Sequence, residues 1–258
     1  MDLRNGYFVK KCEKIESLNS LRLQVYNLIR EEFNIECNDT NEGLNQFHEF
    51  INNMSETDFN EKRMLLIKKI NENINFKELI FTSFKDTILA LLGPDLLVQK
   101  SCNIVIQRPN DNNPSELHRD APGNSSYEIV LWIPLVDCFK TKAMYLVDYK
   151  STLELYDELE KHLDWEQFER DSIKKSTLVP VNFGEALFFS TAVLHGSHIN
   201  KELETRVSLN IRFKNIFSPS GLKNQLQFFE KFLVSDLVEI GSSLELKKLI
   251  AQNVKNES

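Results

Sequence analysis

The chain has 258 residues, 41% hydrophobic and 27% charged, which is enough apolar content for one sizeable core and too much for a disordered chain. Its net charge of −7 argues against nucleic acid as a partner, because gripping phosphates requires a basic face. No stretch approaches the ~18–20 apolar residues of a membrane span; the start, MDLRNGYFVKKCEKIESL, has no unbroken apolar run, and the four cysteines form no CxxC pair, so a cytoplasmic protein with reduced thiols is expected.

Residues 1–100 read as a helical N-terminal part. KIESLNSLRLQVYNLIREEF carries apolar residues near the helical period, and GLNQFHEFINNM and EKRMLLIKKINENI repeat the habit. Ser55 stands where an N-cap would, ahead of Asp58, and Gly93-Pro94 closes the region. From about 101 to 217 the character changes. NIVIQRP, YEIVLWIPL, AMYLVDY, STLVPV, EALFFSTAVLHGSHI and TRVSLNIRF are short, rich in β-branched and aromatic residues, and separated by Pro, Asn, Gly and Asp. That pattern predicts an all-β sandwich or barrel, interrupted by a helical insert at 151–172. Residues 218–258 return to a helical pattern, with Phe228, Phe229 and Phe232 on it. A single domain over 1–258, a β core jacketed by helices, is the expected organisation.

The chemistry concentrates in ELHRD, residues 116–120. In an extended segment His118 and Asp120 share a face, so an imidazole and a carboxylate can converge on one metal ion. Taken alone, the pair is better explained by a histidine at a turn and an aspartate steadying the APGN loop. His195, in LFFSTAVLHGSHIN, adds a second imidazole, although a histidine ending an apolar strand is also a common core residue. Together His118, Asp120 and His195 make a 2-His-1-carboxylate set, which suits non-haem Fe(II) and leaves positions open. Two neutral imidazoles and one carboxylate leave the ion one positive charge, which a chelating 2-oxoacid neutralises. If that acid is 2-oxoglutarate, its far carboxylate needs a buried cation, best an arginine. TRVSLNIRF offers Arg206 and Arg212 with the same parity, about 20 Å apart along an extended strand. The short return INKELE places Arg206 nearer the metal end. Ser208 on the same face and Ser197 next to His195 are further donors. The competing reading of Arg206 is a surface ion pair with Glu202 or Glu204.

LHRD followed by FGEALFFSTAVLHGSHINKELETRVSLNIRF resembles the phytanoyl-CoA dioxygenase branch of the Fe(II)/2-oxoglutarate oxygenases, with Arg206 eleven residues past His195. NIVIQRPND, HRDAPGNSSYEIVLWIPLVDC and TKAMYL are similar to blocks in bacterial oxygenases of carbohydrate and aminoglycoside biosynthesis. The resemblance implies an α+β chain with a double-stranded β-helix (jelly-roll, cupin-like) core, N-terminal helices, a helical insert and C-terminal helices. It implies Fe(II), 2-oxoglutarate and O2 as cofactor and co-substrates, and a sugar-containing small molecule as substrate, without nucleic acid or membrane. DYKSTLEL stands where the wider branch has a Pro-Gly-Ser-His turn, so acyl-CoA is not carried over. The carboxylate at Asp120 favours hydroxylation over halogenation.

Gln107, Tyr127 and Tyr145 are candidates for the substrate pocket; Trp132 is weighed for it too, but its strongly apolar surroundings favour the core. His198 is expected to face away from the triad, and His48 and His162 to be solvated on helices. The insert reads equally as a lid or a packing helix. Two rival functions stand beside the oxygenase: a non-catalytic cupin-like module binding carbohydrate or metal, and a metal-dependent sugar isomerase or epimerase. Neither requires a cation at the position of Arg206.

Overall fold

The computed structural model describes residues 2–222 and 225–243. The chain opens with strand β1 (Tyr7–Lys11), followed by helices α1 (Ile15–Phe33), α2 (Thr40–Asn45), α3 (Phe47–Phe50), α4 (Glu56–Asn73), α5 (Phe76–Ser83) and α6 (Lys85–Leu92). Ser55 caps α4 as its position predicts, accepting from the Asp58 amide at 3.1 Å. Helix α6 stops at Gly93, whose φ of 76° suits glycine. Strands β2 (Leu96–Gln99), β3 (Asn103–Gln107), β4 (Ile129–Pro134) and β5 (Met144–Leu146) come next. Helices α7 (Tyr149–His162) and α8 (Trp165–Lys175) form the insert, and β6 (Thr177–Val179), β7 (Glu185–Ser190), β8 (His195–Ser197) and β9 (Arg206–Asn215) complete the central region. A short α9 (Gln225–Phe228) leads into β10 (Phe229–Leu233).

All pairings are antiparallel. The larger sheet runs β1-β7-β4-β9-β2-β10, with β3 also pairing β9, and the smaller runs β6-β5-β8. Register divides the larger sheet into two faces. Leu131 stands opposite Ile211 and Phe188, and Ile133 opposite Leu209; this face is apolar and packs on the helices, where Phe84 meets Phe188 edge-on and Phe81 lies near Phe213. The opposite face carries Trp132 against Asn210, Val130 against Arg212 and Gln107 against Arg206. Polar side chains on a buried sheet face point to a site rather than a core.

Three boundaries differ from the expectation. Residues 1–100 are not wholly helical, because β1 adds to the free edge of β7 and β2 pairs with β9. YFVKK and LLVQ are too short for periodicity to separate strand from helix, and an available sheet edge decided them. The insert is two helices spanning 149–175, broken at Leu163, which has a left-handed φ of 53°, with Asp164 capping α8. In the C-terminal part Phe229–Leu233 is a strand against β2, while 225–228 and 236–243 are helical and residues 244–258 fall outside the described set. No helix among the described residues is long and apolar enough to cross a membrane.

Phe188 is fully buried, stacked on Phe8 at 5.2 Å and met edge-on by Phe84 at 5.6 Å, so it joins β1, β7 and the helical layer. Phe188→Ala should destabilise the fold by about 3–5 kcal/mol, read as a lowered urea midpoint at unchanged slope; a loss below ~1 kcal/mol would show that the two layers are not coupled there.

Candidate metal centre

His118 and His195 meet through the backbone. Each donates its amide to the other's carbonyl, at 3.0 and 2.8 Å, forming an isolated antiparallel bridge. In such a hydrogen-bonded pair the two side chains emerge on the same side, and the imidazole centroids lie 4.4 Å apart. The bridge is continued by Ser197 N to Ser115 O at 2.9 Å, and Ser197 Oγ accepts from the Ser115 amide at 2.9 Å. Two residues after His118, Asp120 returns to the same side. One ligand atom from each of His118, Asp120 and His195 lies within 4.8 Å of the others, a group that could hold a metal ion.

Both histidines are locked in the same tautomer. Nδ1 of His118 lies 2.7 Å from Glu116 O, and Nδ1 of His195 lies 3.0 Å from Val193 O. A carbonyl only accepts, so each Nδ1 carries a proton, and in the neutral ring Nε2 is the nitrogen that presents a lone pair. Burial lowers the His195 pKa from 6.5 to about 4, opposed by Asp120 and aided by His118, so the imidazole is neutral and ready to ligate. Burial pushes the Asp120 carboxyl up, but Arg212 first, then the two imidazoles, more than reverse this and the net shift is downward.

The triad opens into a cavity of ≈ 440 Å³ between the two sheets. Strand β9 forms one wall, with Arg206, Asn210 and Arg212 lining it; Gln107, Trp132, Phe189, Met144 and Ser197 also line it. Arg206 is 4% exposed, and among the described residues its guanidinium makes one hydrogen bond, a long one of 3.4 Å from Nη1 to Lys142 O. Burial pulls its pKa below the ordinary arginine value. The expected competitors are engaged elsewhere: Glu204 pairs with Lys142 at 2.7 Å, and Glu202 accepts from Thr141 at 2.7 Å. Arg206 Nε, Gln107 Oε1, Ser208 Oγ, Asn210 Oδ1 and Arg212 Nε are buried without a hydrogen-bond partner among the described residues. Orphaned polar atoms of this kind are costly unless something else meets them.

The sequence candidates divide accordingly. His118, Asp120, His195, Arg206, Ser197 and Gln107 come together at the cavity. Ser208 lies on the same strand between lining residues but is not itself part of the lining. Tyr127 is 61% exposed and Tyr145 is buried, stacked on His198 at 4.4 Å; neither lines the cavity. The Tyr145 hydroxyl instead occupies the space a side chain at Gly196 would need. Trp132, expected in the core, is buried and also lines the cavity. His198 takes no part in the triad, as its parity predicts. His48 is half-buried, with Nδ1 2.9 Å from Thr205 Oγ1, rather than solvated. Arg206 was expected nearer the metal end, but Arg212 is the arginine that contacts the triad, with Nη2 2.6 Å from Asp120 Oδ2. The strand runs from Arg206 toward Asp120, and no connection length reveals that direction. Asn103, Asp111 and Asn210 also line the cavity unforeseen; the parity shared by 206, 208, 210 and 212 was the available signal.

The insert contributes nothing to the cavity lining. Leu155 packs with Val147 and Leu194, against Leu117, while Arg119 lies over the Tyr156 ring at 4.0 Å. Helix α7 therefore braces the segments that carry His118 and His195 from outside.

The family model for phytanoyl-CoA dioxygenase (PhyH) matches residues 7–208. No curated protein matches the chain. Among solved structures, the non-heme monooxygenase ThoJ, as its nickel complex, is 16% identical over 90% of this chain and 80% of its own, with a TM-score of 0.55. The non-heme alpha-ketoglutarate-dependent carbocyclase SnoK from nogalamycin biosynthesis is 16% identical over 85% and 84%, TM-score 0.56. EctD from S. alaskensis with bound Fe is 11% identical over 87% and 80%, TM-score 0.55. At such identities these likenesses concern the fold.

The neutral, buried state of His195 has a consequence in the metal-free protein. Between pH 6.5 and about 4 the unfolded chain binds a proton there that the folded chain refuses, so stability should fall as pH drops through that window. Urea unfolding across the window should show this slope, and His195→Gln should flatten it; equal slopes would mean that His195 titrates normally.

Proposed function

The chain belongs to the phytanoyl-CoA dioxygenase (PhyH) family and is a 2-oxoglutarate-dependent dioxygenase using Fe(II) and O2, and from this premise we propose that it hydroxylates a small, polar, sugar-containing molecule in polysaccharide or secondary-metabolite biosynthesis. In this reading the two antiparallel sheets form a double-stranded β-helix within a single domain, with the site between them. The four cysteines are free, in keeping with a cytoplasmic setting.

His118, Asp120 and His195 hold the iron through two imidazole Nε2 atoms and a carboxylate. Bound iron and 2-oxoglutarate together supply the activation of dioxygen that yields succinate, carbon dioxide and a hydroxylated product. The chain's own residues bind and orient. Arg206 receives the far carboxylate of 2-oxoglutarate, and Ser197, which lines the same cavity, is the adjacent hydroxyl donor. Trp132 and Phe189 exclude water from the walls, and Phe189 also packs against the His195 ring at 4.6 Å. Gln107 Oε1 and Asn210 Oδ1, both unpartnered acceptors, suit substrate hydroxyls, which supports a polyhydroxylated substrate.

The observation that carries the reading is the guanidinium of Arg206, buried with no carboxylate in salt-bridge reach among the described residues. A buried cation with no carboxylate in contact, only Asp111 farther off in the lining, is unfavourable, and a dicarboxylic keto acid supplies the missing contact. The test is anaerobic titration of the protein with Fe(II) and 2-oxoglutarate, following the weak visible charge-transfer band of the chelate. Arg206→Ala should keep iron but weaken 2-oxoglutarate by about 2–5 kcal/mol, at least about thirtyfold; unchanged affinity rejects the assignment. His118→Ala or His195→Ala should abolish iron binding, and full succinate production by either would refute the triad. Succinate release on adding nucleotide sugars, one by one, would then identify the substrate.

A further inference from the structure

Both terminal nitrogens of the Arg212 guanidinium are engaged. Nη2 donates to Asp120 Oδ2 at 2.6 Å, and Nη1 donates to Gln99 Oε1 at 3.2 Å. Gln99 is itself anchored, its Nε2 donating to Ser101 O at 2.7 Å, and the Phe228 ring lies 5.8 Å from the guanidinium. Arg212 and Asp120 are largely buried, with side chains 16% and 12% exposed, so this is a desolvated, charge-assisted contact and not a surface ion pair. It also divides the carboxylate. Oδ2 belongs to Arg212, whereas Oδ1 is the oxygen that lies 3.8 Å from His118 Nε2.

That division matters for an ion with about six coordination positions. Three protein atoms leave three positions: two for a chelating keto acid and one for dioxygen. An aspartate free to rotate can chelate with both oxygens and occupy the third. We propose that Arg212 is a positioning residue that holds Asp120 to a single metal-facing oxygen, Oδ1, and thereby keeps one coordination position open for dioxygen. The proposal rests on the triad reading above. It goes beyond the family match, which ends at residue 208, four residues short of Arg212. Gln99, on β2, belongs to the same device: it pins Nη1 so that the fork cannot swing away from Asp120.

Nitric oxide, a dioxygen surrogate that gives a distinctive electron paramagnetic resonance signal with Fe(II), reads the open position directly and without turnover. The parent protein, loaded anaerobically with Fe(II) and 2-oxoglutarate, is compared with Arg212→Met and Arg212→Lys. The Met variant should retain iron and the visible 2-oxoglutarate band but bind nitric oxide at least tenfold more weakly; the Lys variant, which keeps a cationic donor, should stay within about threefold of the parent. Parent-like affinity in the Met variant overturns the proposal, as does equal weakening in both variants, which would mark lost packing instead of a lost hydrogen bond. Should Arg212→Met not fold, Gln99→Leu takes its place: at least threefold weaker nitric oxide binding is expected, and no weakening overturns the proposal. Failure of the triad reading looks different, because the parent itself would then show no 2-oxoglutarate band.

Discussion

Two reciprocal backbone hydrogen bonds, between His118 and His195, set up everything at the cavity mouth. They join a loop with little regular structure to the short β8, and in doing so they decide that two imidazoles leave the backbone on one side and at one height. The carbonyls of Glu116 and Val193 then fix which ring nitrogen is bare. None of this uses a metal. The chain brings His118, Asp120 and His195 together by main-chain geometry alone, as a group that could hold a metal ion.

Strand β9 supplies the second half of the device. Arg206, Asn210 and Arg212 line the cavity, and the odd-numbered residues, Val207, Leu209, Ile211 and Phe213, are fully buried. The apolar face is held by the helical layer, which leaves the polar face no freedom to turn away. Two arginines are thus carried into a poorly hydrated space, and their circumstances differ. Arg212 is matched by Asp120, while the Arg206 guanidinium has, among the described residues, one long hydrogen bond to a carbonyl. Inside the cavity Arg212 has a carboxylate in contact, whereas Arg206 feels only the more distant Asp111 among the lining carboxylates.

The helical additions serve the same site from outside. Helix α7 presses on Leu117 and Leu194, each next to a triad histidine, and the stack of Arg119 on Tyr156 sits between the two residues of the HxD pair. The C-terminal strand β10 extends the sheet beside β2, the strand that carries Gln99. Rigidity around the triad therefore comes from packing behind it, and the cavity keeps an open mouth.

Much of this was legible in the residues themselves. Alternation placed His118 with Asp120 and Arg206 with Arg212, and β-branched runs located β3 through β9, because side-chain period and propensity are local properties. The strands YFVKK and LLVQ were not legible, since a short segment becomes a strand only when a sheet edge is there to receive it. Neither was the choice between the two arginines: parity shows that both face inward, but which end of β9 lies beside Asp120 depends on how distant segments cross. Sequence by itself determined the donor chemistry and the faces it occupies. Tertiary structure decided which donors meet, because that is a matter of register between strands far apart in the chain, and register is set by burial of the whole sheet rather than by any one residue.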